Sequence, residues 1–270
     1  MAAAFPTPAW LVGCGNMAGA MVEGWRAAGV DFSGITVIRP SGTPVEGVRT
    51  VTTYPDEKPA FVMLGFKPQK LDEIAPGLVE QIGSRTILVS MLAGVSASTL
   101  RKRFPGAQAI VRVMPNLPVA QMQGVTAIYS EDGGPAELPE IDQLIASLGM
   151  AVWCRQEAEL GVIGAVASAG IAYVARFAEA LGKAGESLGL RSGLSELVAI
   201  QTLVGTSAYA ASTKAGMQEI ARRVASPKGT TEQGLAVLDA ADGLLPLVER
   251  TLAAAIRRGQ ELAAEAAGRN

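Results

Sequence analysis

Residues 10–18 read Trp10-Leu11-Val12-Gly13-Cys14-Gly15-Asn16-Met17-Ala18, a short apolar run followed by a glycine-rich turn and a helical pattern over residues 18–28. The apolar run is typical of a strand buried on both faces. The turn fits the G-x-G-x-x-G/A fingerprint, in which glycines let the backbone approach a pyrophosphate and the helix N-terminus supplies free N–H groups. This stretch therefore predicts a dinucleotide site at the end of a first strand.

The first half of the chain continues this alternation of apolar runs and helical patterns. Further buried strands are predicted over residues 35–38, 60–64, 87–90 and 109–113, and two more short runs, residues 125–129 and 150–153, are predicted to end the sheet. The helices between them are predicted over residues 69–82, 96–104 and 139–148. Strands that alternate with helices indicate an α/β fold with a doubly wound, mostly parallel sheet. We therefore expect a Rossmann domain that binds NAD(P) over residues 1–154.

The second half lacks strand-like runs, and helical spacing continues over residues 157–188, 194–212, 230–240 and 244–267. This pattern predicts an all-helical domain over residues 155–270. The uncharged run between Glu159 and Arg176 is too apolar for a solvated helix, yet shorter than the about 20 residues that span a bilayer. We expect the same helix of a second subunit to cover it, in a homodimer or higher homo-oligomer, and expect no membrane contact.

Composition excludes several classes of function. The 270 residues include no histidine, which removes the commonest general base and metal ligand, and only two cysteines, so we expect no metal site. With 23 Lys and Arg against 25 Asp and Glu, the chain lacks the basic surplus that nucleic acid requires. Two cysteines form no disulfide framework, which favours a cytoplasmic location.

The end of the second predicted strand indicates which dinucleotide binds. An acidic residue there would hold the ribose diol of NAD, whereas a basic residue suits the 2′-phosphate of NADP. The chain has Arg39 and Ser41 at this point and no carboxylate. NADPH is therefore predicted in preference to NADH, with an ordinary polar loop as the alternative.

Three further strand ends carry polar or glycine-containing turns: Lys67-Pro68-Gln69, Leu92-Ala93-Gly94 and Met114-Pro115-Asn116. Ligands of open α/β sheets bind at the carboxyl ends of parallel strands. These turns therefore predict a path for the cofactor from its pyrophosphate to its nicotinamide.

The most informative stretch of the helical half is Ser226-Pro227-Lys228-Gly229-Thr230-Thr231-Glu232-Gln233. Thr230 with Gln233 forms a capping-box pattern, so a helix is predicted to begin here with free N–H groups. Together with the hydroxyl groups, these donors suit a small carboxylate. A helix cap without a ligand is the alternative.

Taken together, these strings resemble the pyrroline-5-carboxylate reductase family over nearly the whole chain. The resemblance also rests on Phe66-Lys67-Pro68-Gln69, Ala93-Gly94-Val95-Ser96, Val111-Arg112-Val113-Met114-Pro115-Asn116 and Ala172-Tyr173. It implies an N-terminal Rossmann domain, a helical domain that joins two subunits, and hydride transfer from NAD(P)H to a cyclic imine in proline biosynthesis.

The resemblance also assigns residues to the site. Ser226, Lys228, Gly229, Thr230 and Thr231 would bind the substrate, with the Thr231 hydroxyl facing the ring nitrogen as the catalytic group. The cofactor-binding residues would be Gly13, Cys14, Gly15, Asn16, Met17, Arg39, Ser41, Phe66, Lys67, Pro68, Ala93, Gly94, Pro115 and Asn116.

This chain departs from the family pattern on the substrate side. Residues 167–173 read Ala-Ser-Ala-Gly-Ile-Ala-Tyr where the family usually has Ser-Gly-Ser-Gly-Pro-Ala-Tyr, and Lys228 replaces a glycine. A reductase of another cyclic imine and a non-catalytic NAD(P)-binding redox sensor therefore stay open. A β-hydroxyacid dehydrogenase is disfavoured, because no lysine stands between Glu159 and Arg176 to donate the proton.

Overall fold

The computed structural model describes residues 3–267, so residues 1, 2 and 268–270 of the two predicted domains lie outside the described residues. The chain divides into two compact units. One runs to Ser168 and includes the residues from Ile256 onwards, and the other comprises Ala169–Ala255. The segment between Trp153 and Ser168 thus packs with the sheet.

The first unit is built on an eight-stranded sheet. Its strands are β1 (Ala9–Val12), β2 (Ile35–Ile38), β3 (Arg49–Val51), β4 (Phe61–Leu64), β5 (Ile87–Ser90), β6 (Ala109–Pro115), β7 (Gly124–Ser130) and β8 (Gly149–Trp153). They lie in the order β3-β2-β1-β4-β5-β6-β7-β8, and every neighbouring pair is parallel except β6 with β7. This topology confirms the predicted doubly wound, mostly parallel sheet.

Two short elements escaped prediction. Strand β3 is a three-residue edge strand, Arg-Thr-Val, that begins with an exposed arginine. The helix α8 (Met217–Val224) is only eight residues long, although Met217, Ile220 and Val224 stand at helical spacing and were a usable signal. Edge strands and exposed helices bury few side chains, so composition alone marks them poorly.

The helices of the sheet unit lie between its strands along the chain, except the last, which follows β8. They are α1 (Asn16–Ala27), α2 (Leu71–Val79), α3 (Ala97–Arg103), α4 (Pro139–Ala146) and α5 (Glu159–Ile163). Two 3₁₀ turns, Pro68–Lys70 and Leu117–Gln121, precede α2 and β7 respectively. Helix α1 begins two residues before its predicted start.

The core forms on both faces of the sheet because neighbouring strand residues point to opposite sides. Leu11 and Met63 pack with Trp25 of α1 on one face. Trp10 and Val62 pack with α2 and α3 on the other. The Trp25 indole N–H donates a hydrogen bond of 2.9 Å to the Leu144 carbonyl, which ties α1 to α4.

The described part of the second half is helical, as predicted. Its helices are α6 (Gly170–Ser187), α7 (Leu194–Thr213), α8 (Met217–Val224), α9 (Thr230–Leu238) and α10 (Leu244–Ala267). Helical structure runs over Glu159–Ser187, close to the predicted 157–188, and a π-helical turn, Gly164–Ser168, separates α5 from α6 within it. Hydrogen bonds join this turn to the end of β6.

One helical stretch, Glu159–Ser187, has the length and composition of a candidate membrane span, with a mean hydropathy of 1.6. Only 11% of its most apolar window is buried within the chain. The stretch therefore needs a cover that one copy of the chain does not supply.

Candidate functional site

The glycine turn after β1 packs directly against the turn after β4. Gly13 has a φ of +81°, and a Cβ atom there would lie 2.8 Å from the Gly65 carbonyl oxygen. A Cβ on Gly65 would in turn lie 2.8 Å from the Gly13 carbonyl oxygen. Only two glycines allow this backbone contact, which lies where the winding of the sheet changes direction between β1 and β4. Sequence reasoning missed Gly65, although a glycine directly after the apolar run of residues 61–64 was a usable signal.

Helix α1 directs free N–H groups toward the same place. Its N-cap is Gly15, which has no side chain to bond the first turn. Within residues 3–267, the N–H groups of Asn16, Met17 and Ala18 have no acceptor. A helix N-terminus of this kind attracts anions through these donors and through the positive end of its dipole.

A cleft of about 490 Å³ opens beside this turn. It is lined by Cys14, Gly15, Asn16, Gly19, Ala20, Glu23 and Arg39. The structure thus brings Arg39 to the glycine turn, as a 2′-phosphate site requires. It also brings Glu23, which the sequence did not indicate, while Ser41 is outside this lining and its Oγ accepts hydrogen bonds from the backbone and side chain of Thr43.

The thiol of Cys14 faces this cleft in its neutral form. Burial raises the pKa of Cys14, and the charge of Arg39 acts against that effect without reversing it. A neutral thiol is a weak nucleophile, so Cys14 shapes the cleft and carries no charge there.

The other predicted cofactor residues lie along the same edge of the sheet. Phe66, Lys67 and Pro68 follow β4, whereas Ala93 and Gly94 follow its neighbour β5. The strand ends are level, because Val12 pairs with Leu64 and Leu64 with Ser90. The structure therefore brings these predicted residues onto adjacent turns.

Strand β6 ends in a different environment. Asn116 follows its last residue and is only 5% exposed. Its Oδ1 accepts a hydrogen bond of 2.8 Å from the Val125 N–H, and its Nδ2 donates one of 3.0 Å to the Ala167 carbonyl. A cofactor contact from this side chain would have to use the remaining N–H or lone pair of the amide.

A partly buried ion pair supports the start of α3, which follows the turn after β5. The Glu157 carboxylate accepts one hydrogen bond of 2.7 Å from Arg112 Nη1 and another of 2.7 Å from the Ala97 N–H at the start of α3. Arg112 has an exposed side-chain fraction of 12%, and its Nε has no partner among residues 3–267. Glu157 thus links β6, the start of α3 and the segment before α5.

In the second unit, the predicted substrate residues form a turn and a helix start. The Gly229 N–H bonds the Ser226 carbonyl at 2.9 Å, with Pro227 and Lys228 between them. Lys228 has a φ of 60°, which together with the preceding proline is typical of a type II turn. A Cβ on Gly229 would lie 2.3 Å from Ser226 Oγ, so the turn excludes a side chain there.

Helix α9 begins at Thr230, as predicted, but the predicted capping box is wrong. The N-cap is Gly229, and no side chain caps it. Instead, the Glu232 carboxylate accepts a hydrogen bond of 2.7 Å from the Lys228 N–H. The turn makes Gly229 the N-cap, one residue before Thr230. Thr230 and Gln233 therefore do not stand at the two positions that a capping box requires.

This shift leaves the threonine donors free. Within the described chain, the N–H and hydroxyl groups of Thr230 and Thr231 have no partner, and both residues are exposed. Ser226 is exposed beside them. The turn therefore presents N–H and O–H donors to a small anion, with Glu232 as the nearest opposing charge on the helix.

Comparisons with known proteins cover almost the entire chain. A family model described as pyrroline-5-carboxylate reductase dimerisation matches residues 157–262. A relative from Pseudomonas aeruginosa, named pyrroline-5-carboxylate reductase, is 31% identical over 261 residues, which are 93% of this chain and 95% of the relative. A relative from Bos taurus, named pyrroline-5-carboxylate reductase 3, is 32% identical over 276 residues, covering 97% of this chain and 89% of the relative.

Solved structures agree with these relatives. The structure of a pyrroline-5-carboxylate reductase from Coxiella burnetii has a TM-score of 0.88 and 29% identity, covering 96% of this chain and 99% of its own. The Plasmodium falciparum pyrroline carboxylate reductase, solved with NADP bound, has the same fold with a TM-score of 0.79 at 21% identity, over 95% of this chain and 98% of its own. The chain belongs to the pyrroline-5-carboxylate reductase family.

Proposed function

We propose that this chain reduces the C=N bond of 1-pyrroline-5-carboxylate to L-proline, with NADPH preferred over NADH as hydride donor. Membership of the family over 93% of the chain carries this proposal. The backbone contact between Gly13 and Gly65 supports it, because such a cradle suits a pyrophosphate.

The residues at the sheet edge fit the cofactor. Gly13 to Met17 would hold the pyrophosphate, and Arg39 with Ser41 the 2′-phosphate. Phe66, Lys67, Pro68, Ala93, Gly94 and Pro115 would line the nicotinamide half. When bound, NADPH supplies the hydride.

The preference for NADPH rests on Arg39, which lines the cleft beside the glycine turn. Glu23 lines the same cleft and acts against a phosphate dianion, so the expected preference is modest. Arg39 can form two parallel hydrogen bonds to a phosphate, which gives it the larger effect.

The turn and helix start of residues 226–232 would hold the substrate carboxylate. Ser226 Oγ and the N–H groups of Thr230 and Thr231 are the donors, the Gly229 backbone shapes the turn, and Lys228 adds a positive charge. The Thr231 hydroxyl would face the ring nitrogen and guide its proton. No histidine is needed, because a protonated imine carries its own positive charge.

The two predicted regions would divide this work. Residues 1–154 would bind the cofactor, and residues 155–270 would bind the substrate and join two subunits. In a homodimer the apolar stretch Glu159–Ser187 would be covered by the partner and not by a membrane. We place the protein in the cytoplasm, with no nucleic-acid partner.

Oxidation of NADPH, followed by its absorbance, tests the proposal. With the purified chain, we expect turnover with pyrroline-5-carboxylate, slower turnover with its six-membered homologue, and a higher KM for NADH than for NADPH. Faster turnover of the six-membered imine would favour a reductase of another substrate. Binding of NADPH without turnover of either imine would favour a redox sensor.

Thr231→Ala tests the assignment of the substrate side. Removing the hydroxyl should lower kcat/KM for the imine by about tenfold or more, because a hydrogen bond to a charged nitrogen contributes about 1.5 to 3 kcal/mol. The dissociation constant of NADPH should stay unchanged, and Thr231→Ser should retain most of the activity. Unchanged kinetics in Thr231→Ala would remove this side chain from the mechanism.

A further inference from the structure

The π-helical turn Gly164–Ser168 interrupts the helical stretch just before residues 169–173. π-helical turns are rare and occur mostly where function needs a local change in helix geometry. This chain departs from its family over residues 167–171, at the end of this turn and directly after it, on the substrate side. What holds the π-helical turn therefore bears on the substrate.

The carboxyl end of β6 holds this turn through three consecutive residues. The Met114 sulfur lies 2.2 Å from where a Cβ of Gly164 would stand, so a larger residue there would have to displace the Met114 side chain. The Pro115 carbonyl accepts a hydrogen bond of 3.4 Å from Ser168 Oγ. Asn116 Nδ2 donates its bond of 3.0 Å to the Ala167 carbonyl.

The hydrogen bond from Asn116 is the strongest of these three contacts. It is nearly fully buried, and the opposite end of its amide accepts the Val125 N–H, which fixes the orientation of the side chain. A buried amide bonded at both ends is held rigidly, and loss of Asn116 would remove a hydrogen bond from the partly buried Ala167 carbonyl. The bond thus joins β7 and the end of β6 to a carbonyl 51 residues away.

We propose that Asn116 is a positioning residue for the imine, which acts by fixing the π-helical turn and with it the start of residues 169–173. The proposal rests on the proposed function for its substrate. It differs from the prediction that Asn116 binds the cofactor, because its effect should fall on the KM of the imine and not on NADPH.

Asn116→Asp is the sharpest variant, since it keeps the acceptor for Val125 and places a carboxylate against the Ala167 carbonyl. We expect the KM of pyrroline-5-carboxylate to rise about five- to tenfold, in proportion to one lost hydrogen bond, with a smaller change in kcat. The dissociation constant of NADPH, from its fluorescence, should change less than about twofold by the same argument. Backbone hydrogen exchange over residues 164–173 should become faster.

Gln108→Glu is the matched control, because it makes the same amide-to-acid change at an exposed residue next to the start of β6. It should leave KM, NADPH binding and exchange as in the wild type. Gly164→Ala would push the Met114 side chain away from the same turn and should also raise the KM of the imine. This variant keeps the proposal testable if Asn116→Asp fails to fold.

Weaker NADPH binding in Asn116→Asp, with an unchanged KM of the imine, would overturn the proposal in favour of a cofactor ligand. Unchanged hydrogen exchange over residues 164–173 would also overturn it. Because exchange needs no turnover, it remains decisive if the wild type fails to reduce the imine, an outcome that would contradict the proposed function alone.

Discussion

At the level of single residues, the contact between Gly13 and Gly65 shapes the turn that we propose binds the cofactor. The turns after β1 and β4 can approach this closely only because both residues are glycines. A Cβ atom on either one would lie 2.8 Å from the carbonyl oxygen of the other. The helix N-terminus that follows then stands clear for a pyrophosphate.

Gly13→Ala should therefore impair the cofactor site. A methyl group would meet the Gly65 carbonyl and carry an unfavourable φ, so we expect at least about a tenfold rise in the dissociation constant of NADPH and a loss of about 1 to 3 kcal/mol of unfolding free energy. Gly83→Ala, where a Cβ meets nothing within 4 Å, is the control. NADPH fluorescence titration and urea denaturation measure the two effects, and wild-type affinity in Gly13→Ala would contradict the assignment.

Lys228 combines a strained backbone conformation with a positive charge. It holds a φ of 60°, which an L side chain adopts at some cost, where the family usually has glycine. Its N–H is bonded to Glu232, so its backbone serves the turn while its exposed side chain is free to act on an anion.

Lys228→Gly and Lys228→Ala separate these two effects. The glycine variant should gain up to about 1 kcal/mol of unfolding free energy, because glycine relieves the backbone strain but loses more conformational entropy on folding. The alanine variant keeps the strain and should gain nothing. Both should raise the KM of the imine if the charge assists carboxylate binding. Thermal denaturation and steady-state kinetics provide the readouts, and equal stability of the two variants would contradict the strain.

Among the secondary-structure elements, the start of α3 depends on a residue far along the chain. Glu157, which precedes α5, bonds the Ala97 N–H and Arg112 of β6. A carboxylate at a helix N-terminus is stabilising, and this one also compensates a largely buried arginine. The turn with Ala93 and Gly94, which precedes α3, is thereby held against the sheet.

Glu157→Ala should lower the free energy of unfolding by about 1 to 3 kcal/mol, because it leaves Arg112 buried without its partner. Asp72→Asn is the control, since Asp72 pairs with Arg103 at a more exposed position. Exposed pairs contribute about 0 to 1 kcal/mol, so this variant should unfold near the wild-type urea concentration. Equal losses in both variants would contradict the role of burial at Glu157.

For the whole molecule, the main unexplained feature of a single copy is its apolar helical surface. Large side chains on α6 and α7, such as Phe177, Leu181, Leu197 and Val204, are exposed by about 40% or more. Surfaces of this extent mark interaction sites in soluble proteins. They lie within the region that matches the reductase dimerisation domain.

Sedimentation at micromolar concentration should give at least twice the mass of one chain. Leu197→Glu places a charge on the exposed surface of α7 and should shift the protein toward the monomer, since burying an unpaired charge is costly. Met150→Glu, at an exposed methionine of β8 outside the matched region, is the control and should leave the assembly unchanged. A monomeric wild type would contradict the proposed homodimer.

Much of the fold followed from local patterns in the sequence. Continuous apolar runs predicted seven of the eight strands of the sheet. The signal was clearest for β1, β2, β4 and β5, which are buried along their whole length, because a strand buried on both faces needs apolar residues at nearly every position. The glycine string, the basic residue after β2 and the absence of histidine indicated a dinucleotide cofactor and chemistry without a histidine base. These features depend on residues close together in the chain, so they can be read before folding.

Other features arose only when distant segments met. Gly65 gained its role by facing Gly13, Asn116 by reaching the Ala167 carbonyl, and Glu157 by meeting the start of α3. The cap of α9 moved from Thr230 to Gly229 because a turn, and not a side chain, ends the preceding segment. Close backbone approach and the choice of hydrogen-bond partner are set by packing across the molecule, which hydrophobic periodicity does not encode.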